Sequence, residues 1–446
     1  MKIIVAGAGE VGSHLAKMLS QEKHDLVLID PNESLLQAID NRLDLMTVHG
    51  SATSISTLEE ANVRKTDLFI SVAHLEDTNI TACILGKKLG AKRTIARIDN
   101  QEYLLANNKE FFRSLGVDHL IYPEKIAARE IVGLLSQTGT SEFFDFSGGK
   151  LSLFALKLDE NAPVVNKTLM EATENRNELD YRAVAITRNG DTIIPRGNDV
   201  FEVGDVVYVI TNRKGVNSLL KYSGKENFEI HNLMIIGGSR IGLRTAKDLE
   251  NEINVKLIEI DQEKSVTLAG FLDNTLVIQG DGRNINLLMD EGLRNMDAFV
   301  AVTGNSEANI LACMLAKRMG VRKTIAEIEN LDYIEMAERM GIDAVINKKL
   351  ITASRISRFT MSAEVTSMKC LTGTDAEVME FVVKPGARAT RVSLKELEFP
   401  RDSIIGGVVR GERAFIAKGD TQIEPNDHVV VFALPSAVGK IDNFFN

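Results

Sequence analysis

Short apolar runs alternate with longer amphipathic segments over the first 123 residues of the chain. Five runs have the length of strands, at residues 3–6, 26–29, 45–48, 68–72 and 93–98, and a sixth, at 119–122, ends before Pro123. Between these runs, segments such as 12–20 and 79–89 place apolar residues at helical spacing. This alternation predicts an α/β domain with a doubly wound parallel sheet, because neighbouring parallel strands need a crossover connection.

The same pattern returns in the second half of the chain. At an offset of 230 residues, segments 3–12, 49–52, 79–83 and 94–98 match segments 233–242, 279–282, 309–313 and 324–328. At an offset near 222, segments 186–188 and 205–207 match segments 408–410 and 427–429. We therefore divide the chain into four modules, in the order N1-C1-N2-C2.

Each half consists of a Rossmann-like N module, a helical connection and a small C module. The predicted N modules cover residues 1–123 and 230–347, the crossover helices with their linkers 124–138 and 348–361, and the C modules 139–224 and 362–446. Gly148-Gly149 and Ser223-Gly224-Lys225 are the best candidates for flexible boundaries.

The C modules have a different pattern, in which short strands are separated by polar turns. In C1 the predicted strands are 154–158, 183–187, 191–195 and 206–210, and residues 168–172 predict a small helix. Asn189-Gly190-Asp191 is typical of a β-hairpin turn. We therefore expect each C module to be a small α+β domain.

A glycine-rich loop follows the first strand of N1 and opens the first helix. Gly7 permits a tight turn, Gly9 lets a pyrophosphate approach the backbone, and Gly12 permits close packing of the helix. The residues placed at the phosphates are Gly7, Gly9, Glu10, Val11 and Gly12. Asp30 ends the next strand and can accept both ribose hydroxyls, which favours NAD or adenosine over NADP. The alternative interpretation is a Rossmann-like sheet with an empty pocket.

The corresponding loop of N2 is altered. It reads Gly237-Gly238-Ser239-Arg240-Ile241-Gly242, and the side chain of Ser239 is expected to narrow the approach of a phosphate. Glu259 and Asp261 are both candidates for the acid that binds the ribose. The sequence leaves open whether N2 binds a second ligand or is a structural copy that binds none.

Two further segments lie where α/β sheets bind ligands, at the carboxyl ends of the strands. Gly50-Ser51-Ala52 follows the third strand, where a loop would cross the adenosine, and Asp281 belongs to its counterpart in N2. Arg97 ends the fifth strand and could reach a terminal phosphate or a nicotinamide. An ordinary turn and a solvated surface arginine are equally compatible with these residues.

Composition narrows the range of functions. The chain has 446 residues and a net charge of −10, which argues against nucleic acid as a partner. No apolar stretch approaches the roughly 18 residues of a membrane-spanning helix, and the first residues lack the features of a signal peptide, so we expect a cytosolic protein. The three cysteines form neither a disulfide framework nor a zinc pattern, and Cys83 and Cys313, at one repeat position, are expected to pack.

The groups that a dehydrogenase needs are missing from both halves. The seven histidines are scattered, and no Tyr-x-x-x-Lys, His–Asp or Ser–His pairing recurs between the halves. The chain also has no Walker lysine motif, and each C module is too small to enclose a substrate. A nucleotide fold without catalytic groups indicates a sensor. The enzyme alternative is an NAD-dependent oxidoreductase with tandem Rossmann domains.

The whole chain resembles the cytosolic regulatory subunits of bacterial Trk potassium uptake systems, which are built from two tandem RCK units. The resemblance rests on the module order, the loop ending at Gly12 with Asp30, the Gly50-Ser51-Ala52 loop, Arg97, and Pro123-Glu124 before a helix. It implies that the N modules bind NAD(H) and also ATP or ADP. It further implies that four chains form a ring of eight RCK domains under a membrane potassium channel subunit of the TrkH or TrkG type, and that ligands change this ring to gate the channel. The protein would then lie in the cytoplasm, on the inner face of the membrane.

Three positions bear on the ligand preference that this resemblance implies. The family commonly has Asp where this chain has Ser51, and a basic residue where it has Asp99. Asp281 restores the common acid in the second copy. These residues belong to the part of the site that the resemblance places at the phosphates of ATP, so they bear on which nucleotide is preferred.

A stripe at helical spacing follows the last strand of each N module. Its members are Ile126, Ala127, Glu130, Ile131, Leu134 and Leu135 in the first half and Ile351, Ser354, Ile356 and Phe359 in the second. Such a helix either packs within its own module or crosses to another N module as a dimer helix. With the resemblance to RCK units, we favour the crossing helix.

Overall fold

Four β-sheets follow one another along the chain, two of them parallel and two antiparallel. The computed structural model describes residues 1–21, 24–174, 180–212, 215–222, 227–361, 363–372, 374 and 376–446. The candidate boundary Ser223-Gly224-Lys225 lies outside these residues.

N1 alternates strands and helices. Its elements are β1 (Lys2–Ala6), α1 (Glu10–Gln21), β2 (Asp25–Asp30), α2 (Glu33–Asp40), β3 (Met46–His49), α3 (Ile55–Glu60), β4 (Leu68–Ser71), α4 (Glu76–Leu89), β5 (Arg93–Arg97), α5 (Ala106–Leu115) and β6 (His119–Ile121), with 3₁₀ turns at Val63–Lys65 and Gln101–Leu104. The strands form a parallel sheet in the order β3-β2-β1-β4-β5-β6. The order reverses between β1 and β4, as in a doubly wound sheet, and the predicted fold class is confirmed.

A helix and an antiparallel sheet follow N1. The elements are α6 (Pro123–Ser136), β7 (Glu142–Phe146), β8 (Leu151–Lys157), α7 (Leu169–Glu174), β9 (Tyr181–Arg188), β10 (Asp191–Ile193), β11 (Val206–Asn212) and α8 (Gly215–Tyr222). The sheet order is β10-β9-β11-β8-β7. Asn189 and Gly190 both have positive φ, +54° and +90°, so the predicted hairpin turn joins β9 to β10. The sequence did not predict β7, in which the charged residue Glu142 is buried.

N2 repeats the parallel sheet. Its elements are β12 (Asn232–Ile236), α9 (Arg240–Leu249), β13 (Asn254–Glu259), α10 (Gln262–Phe271), β14 (Thr275–Gln279), α11 (Ile285–Asp290), β15 (Ala298–Ala301), α12 (Ser306–Arg318), β16 (Lys323–Glu327), α13 (Asp332–Arg339) and β17 (Ala344–Ile346), with a 3₁₀ turn at Leu293–Asn295. The sheet order, β14-β13-β12-β15-β16-β17, is that of N1.

C2 repeats the connectivity of C1. Its helix and strands are α14 (Lys348–Ser357), β18 (Glu364–Cys370), β19 (Glu377–Val382), β20 (Ser403–Arg410), β21 (Arg413–Ile416), β22 (His428–Ala433) and α15 (Pro435–Phe445), with a 3₁₀ turn at Arg388–Thr390. The sheet order is β18-β19-β22-β20-β21.

The helices α6 and α14 pack on the N module of the opposite half. Ile131 of α6 lies in one apolar core with Ile241 of α9. Ala353 and Ile356 of α14 lie in the apolar core of N1 with Leu15 of α1. The helix expected to cross to another N module thus reaches the second N module of the same chain. Since each buried aliphatic side chain contributes about 1.5–3 kcal/mol, this exchange joins the two halves firmly.

The two antiparallel sheets pack face to face. Phe146 and Ile210 of C1 share an apolar core with Val378 and Phe432 of C2. Buried Tyr208 donates its hydroxyl to the carbonyl oxygen of Thr372 at 2.6 Å, which adds a polar contact to this interface. The chain is therefore an internal pseudo-dimer, in which N1 contacts N2 and C1 contacts C2.

Among the residues that the structure describes, no helix is both long enough and apolar enough to span a membrane.

Candidate nucleotide sites

The glycine loop of N1 has tight packing on one side and open space on the other. Gly7 has a φ of +104°, and a Cβ there would lie 2.8 Å from the backbone nitrogen of Ala73. A Cβ at Gly12 would lie 1.7 Å from the carbonyl oxygen of Gly7, so α1 packs directly on the loop. A Cβ at Gly9 would meet no described atom within 4 Å. Gly9 therefore borders open space at the N-terminus of α1, where the free N–H groups of a helix bind phosphate.

Asp30 ends β2 and holds the glycine loop. Its Oδ2 accepts the backbone N–H of Ala8 at 2.6 Å, and its Oδ1 accepts the N–H of Asn32 at 2.7 Å. The residue is only 8% exposed. Each carboxylate oxygen has a second lone pair, so Asp30 can still accept a ribose hydroxyl.

The loop after β3 is tied to the same strand end. Gly50 donates its N–H to the carbonyl oxygen of Asp30 at 3.0 Å. The Oγ of Ser51 accepts the N–H of Thr53 at 3.2 Å, and Ala52 is buried. The structure therefore begins the predicted loop of Gly50, Ser51 and Ala52 at a hydrogen bond to Asp30.

The side chains of Glu10 and Val11 contact protein groups. The carboxylate of Glu10 pairs with Nζ of Lys349 on α14, and Val11 packs on the apolar core of N1. In the second loop, Ile241 is buried in the core that N2 shares with α6. The side chains of Glu10, Val11 and Ile241 are thus engaged in contacts within the protein.

Arg97 lies in a cluster of charges between N1 and N2. Its Nη2 is 3.6 Å from Oδ1 of Asp99 and 3.5 Å from Oε1 of Glu124. On the N2 side, Nη1 of Arg240 lies 3.4 Å from Oδ2 of Asp99. The side chain of Arg97 is 21% exposed, so it is not a solvated surface arginine. Asp99 therefore links two predicted site residues, Arg97 and Arg240, across the module interface.

The altered loop of N2 keeps the same backbone turn. Gly237 has a φ of +96°, and a Cβ at Gly242 would lie 2.2 Å from the carbonyl oxygen of Gly237. The hydroxyl of Ser239 accepts the N–H of Gly242 at 3.3 Å and caps α9. The hydroxyl group therefore satisfies one of the N–H groups that a phosphate would otherwise bind.

Glu259, and not Asp261, occupies the position equivalent to Asp30. It ends β13, and its Oε2 accepts the N–H of Gly238 at 2.8 Å. Burial favours a raised pKa for Glu259, but the N–H of Asp261 and the ammonium of Lys264 outweigh it and lower the pKa. Asp261 instead caps α10, where it accepts the N–H of Lys264 at 2.7 Å.

The second site is an open cleft lined by two cations, each of which is paired with a carboxylate. Its volume is about 290 Å³, and Ser239, Glu259, Lys264, Asp281 and Arg283 are among its lining residues. The Nζ of Lys264 lies 2.9 Å from Oε2 of Glu259, and Nη2 of Arg283 lies 2.8 Å from Oδ2 of Asp281. The hydrogen bonds from Arg283 hold the pKa of Asp281 below its ordinary value.

The first site has neither of these cations. Counting from the aligned strand ends, Leu35 stands where N2 has Lys264, and Thr53 stands where it has Arg283. We call the open space beside Gly9 and Asp30 the first cleft and the N2 site the second cleft. The two clefts have the same backbone turn but differ in charge, which the comparison of glycine loops alone did not indicate.

One buried asparagine in each half holds the strand ends beside the cleft. The Oδ1 of Asn79 accepts the hydroxyl of Ser71 and the N–H of Ala73 at 2.9 and 2.7 Å. Its Nδ2 donates to the carbonyl oxygens of Ala73 and Arg97, both at 3.0 Å. Asn309 makes the corresponding bond to the carbonyl oxygen of Glu327 at 2.8 Å. The sequence contained this signal as an asparagine repeated at the same offset, but we did not predict its role.

Cys83 and Cys313 lie at equivalent packed positions. Both are buried, and their thiols donate to the carbonyl oxygens of Ile95 and Ile325 at 3.2 and 3.4 Å. Burial raises the pKa of both thiols, which disfavours the reactive thiolate.

Comparison with solved structures shows that the chain has the fold of RCK domains. The chain superposes on the GsuK RCK domain with a TM-score of 0.61 at 15% identity, covering 100% of this chain and 94% of that one. It superposes on the GsuK channel bound to NAD with a TM-score of 0.60 at 16% identity, covering 100% and 78% of the two chains. At this identity the likeness concerns the fold alone.

Sequence comparison then identifies the family. The TrkA-N domain model matches residues 3–123 and 233–348, and the TrkA-C domain model matches residues 153–224 and 378–446. The chain belongs to the TrkA family of Trk system potassium uptake proteins. It is 33% identical to the TrkA homolog of Archaeoglobus fulgidus over 100% of both chains, and 33% identical to TrkA of Vibrio alginolyticus over 97% of this chain and 95% of that protein.

Proposed function

We propose that the chain is a nucleotide-sensing regulatory subunit that gates a membrane potassium uptake channel or transporter. The observation that carries the proposal is the arrangement of Gly7, Gly9, Gly12 and Asp30 around the N-terminus of α1, with open space at Gly9. Membership of the TrkA family supports potassium as the transported ion.

The first cleft is the proposed site of NAD(H). Asp30 can accept ribose hydroxyls and would repel a 2′-phosphate, so NAD(H) is preferred to NADP(H). Two GsuK structures of similar fold, one described as bound to NAD and the other as bound to ADP, support a dinucleotide or an adenine nucleotide as ligand.

The second cleft is the proposed site of ATP or ADP. Lys264 and Arg283 line it, and a ligand with several phosphates in a short chain gains more from two cations than a dinucleotide does. Ser239 already satisfies one N–H of α9, which further weakens the pyrophosphate position of a dinucleotide.

Ligand binding must favour one arrangement of the N modules over another in order to gate a channel. The first turn of α1 carries Glu10, which pairs with Lys349 of the second half. The first turn of α9 carries Arg240, which lies close to Asp99 of the first half. A phosphate bound at either helix N-terminus would therefore alter a contact between the halves. If the ligand binds one arrangement about 10 to 100 times more tightly than the other, each site contributes about 1–3 kcal/mol to the shift between the two arrangements.

The proposed assembly is a homotetramer. Each chain contributes two units, each made of an N module and a C module with the boundaries given above, and the eight units form a ring. Support comes from the apolar residues Val266, Phe271 and Leu276, which are more than half exposed on α10 and the adjoining edge strand β14. In this assembly the ring binds a channel subunit of the TrkH or TrkG type and lies on the cytoplasmic face of the membrane. The proposal includes no catalysis, and oxidation of NADH by the purified chain would favour the oxidoreductase alternative.

Gly9→Ala tests the first site without disturbing the fold. The added methyl group meets no described protein atom within 4 Å but occupies the position of the pyrophosphate. Calorimetric titration with NAD+, NADH, ATP and ADP should show at least about a tenfold loss of NAD(H) affinity, worth about 1.4 kcal/mol. Gly439→Ala in α15, where an added Cβ is equally unhindered, is the matched control. Wild-type affinity for NAD(H) in Gly9→Ala would contradict the site.

The regulatory role is tested by ion flux. Potassium flux through vesicles that contain the channel subunit should respond to NADH or ATP when the wild-type chain is added. The flux should lose its response to NADH when Gly9→Ala is added instead. A response that is equal for both chains would contradict gating through the first cleft.

A further inference from the structure

We propose that charge determines which N modules pair with each other. Equivalent positions of the interface carry opposite charges in N1 and in N2. The surface of N1 then fits N2 and rejects a second N1, and the surface of N2 fits N1 better than it fits a second N2. This inference concerns which modules pair and does not depend on the ligand.

The equivalent positions follow from the sheet register. Arg97 pairs with Ile121 across β5 and β6, and Glu327 pairs with Ile346 across β16 and β17. The helices after these strands therefore align at an offset of 225, which follows from 346 − 121, and Lys349 is the equivalent of Glu124.

Four positions at this junction change sign between the halves. Glu10 corresponds to Arg240 in the glycine loops, Arg97 to Glu327 at the strand ends, and Glu124 to Lys349 and Glu130 to Arg355 in the crossing helices. The inversion is not uniform along the junction, because Asp99 corresponds to Glu329 and keeps its charge. Both members of the contact between Glu10 and Lys349 do lie at inverted positions.

The observed contacts join opposite charges across the two halves. Lys349 of α14 pairs with Glu10, and its side chain is only 12% exposed. Arg240 lies 3.4 Å from Asp99 of N1, which with Glu124 also faces Arg97.

The crossing helix α6 continues the pattern towards C2. Glu130 lies 3.1 Å from Nζ of buried Lys369, which is on the first strand of C2. Opposite charges thus meet at three contacts of the junction, between Glu10 and Lys349, between Arg240 and Asp99, and between Glu130 and Lys369.

A pairing of like modules would place like charges at these contacts. In a pair of N1 modules, Glu10 of one would face Glu124 of the other, and both are acidic. In a pair of N2 modules, Arg240 would face Lys349, and both are basic, while Glu329 in place of Asp99 would keep one acidic neighbour for Arg240. Glu124 and Lys349 are shielded from water, but the side chains of Glu10 and Arg240 are 64% and 55% exposed. Water and salt therefore screen part of this repulsion, which should be strongest at low salt. The apolar stripe of the crossing helices exists in both halves and cannot supply this discrimination, which therefore depends on the charges.

The test uses two variants of the full chain. The basic variant carries Glu10→Lys and Glu124→Lys, so that both N modules are basic at the interface. The acidic variant carries Arg240→Glu and Lys349→Glu, so that both are acidic. Each variant alone should unfold several degrees below the wild type at low salt. Native mass spectrometry of an equimolar mixture, refolded together, should show assemblies that contain both chains in equal number in preference to assemblies of one chain.

A milder pair of changes covers the case in which these variants do not fold. Glu10→Lys and Lys349→Glu should each lower the midpoint of thermal unfolding, and the double variant should recover most of the loss. The exposed pair Lys395–Asp420 of C2, exchanged in the same way, is the control and should leave the midpoint unchanged. Single and double variants that lose stability additively, or a mixture in which the two charge variants combine at random, would overturn the proposal.

Discussion

The backbone N–H of Ala8 donates to the carboxylate of Asp30 at 2.6 Å, so the residue placed at the ribose also fixes the shape of the phosphate loop. Gly238 and Glu259 repeat this relationship in N2 at 2.8 Å. In each half the acid and the loop therefore form one connected unit, which immediately precedes the helix that contacts the other half of the chain, α1 in N1 and α9 in N2.

Asp30→Asn should weaken both nucleotide binding and the fold. The amide nitrogen of asparagine cannot accept an N–H, so one buried donor, of Ala8 or Asn32, loses its partner. We expect the free energy of unfolding to fall by about 1–3 kcal/mol and the affinity for NAD(H) to fall at least about tenfold. Urea unfolding and calorimetric titration measure the two effects.

The exposed residue Asp25, at the start of the same strand, provides the matched control. Asp25→Asn should leave stability and affinity unchanged. If Asp30→Asn lost stability but kept wild-type affinity, Asp30 would hold the loop without binding the ligand.

The second cleft should change its ligand preference when it is given the residues of the first. In a Gly9→Ala background, which removes the first site, Lys264→Leu with Arg283→Thr takes two cations out of the cleft. We expect the affinity for ATP to fall at least about tenfold relative to that for NAD+, because each lost cation removes about 1 kcal/mol or more of attraction to phosphate. Calorimetric titration with both nucleotides measures the ratio.

A second double variant that removes two positive charges outside the cleft controls for the effect of net charge on ATP binding. Lys395→Leu with Arg113→Thr replaces one exposed lysine and one exposed arginine outside the cleft. An equal fall in ATP affinity in both double variants would exclude a specific role for Lys264 and Arg283.

The N modules were the most predictable part of the fold. Their central strands, such as β1, are covered on both faces and therefore read as uninterrupted apolar runs. In C1, β7 was missed because Glu142 occupies a buried position beside Lys369 and breaks the apolar pattern. A buried ion pair between distant segments has no local signature in the sequence.

The residues of the candidate sites also fall into two groups, those whose position follows from local sequence and those whose position depends on how the modules pack. Gly7, Gly9 and Gly12 could be placed from spacing alone, because their roles depend on local backbone geometry. The roles of Arg97 and Lys349 could not, because both depend on which module packs against which. The choice of Glu259 over Asp261 also required the structure, since it depends on the residue at which β13 ends.

Lys323 should make the stability of the chain depend on pH in the alkaline range. Its Nζ is buried and donates to the carbonyl oxygens of Thr138 and Thr140 at 3.1 and 2.5 Å. Burial lowers its pKa from the ordinary 10.5 to about 8. Between these two values the unfolded chain binds more protons than the folded chain, so the free energy of unfolding rises with pH.

The rise should reach about 3 kcal/mol between pH 8 and 10.5 and should be absent in Lys323→Met. Urea unfolding of wild type and variant over this range measures the difference in slope. Lys395→Met, at an exposed lysine, should behave as the wild type. Parallel curves for the wild type and Lys323→Met would show that Lys323 is solvated in the folded chain.

Asn79→Ala should loosen the strand ends that border the first cleft. It removes two acceptor contacts and two donor contacts, and it leaves the N–H of Ala73 and the carbonyl oxygen of Arg97 without this partner. We expect the free energy of unfolding to fall by at least about 2 kcal/mol, because buried polar groups are left unpaired. The affinity for NAD(H) should fall as well, since β4 and β5 set the edge of the cleft.

Asn309→Ala provides the internal comparison, because Asn309 makes the equivalent bonds in N2. It should destabilise the chain by a similar amount but leave the NAD(H) affinity of the first cleft within about twofold. Asn107→Ala, at an exposed position of α5, should change neither quantity. Urea unfolding of the three variants measures their stability, and calorimetric titration measures their affinity for NAD(H). Equal loss of NAD(H) affinity in Asn79→Ala and Asn309→Ala would mean that the asparagines act only through global stability.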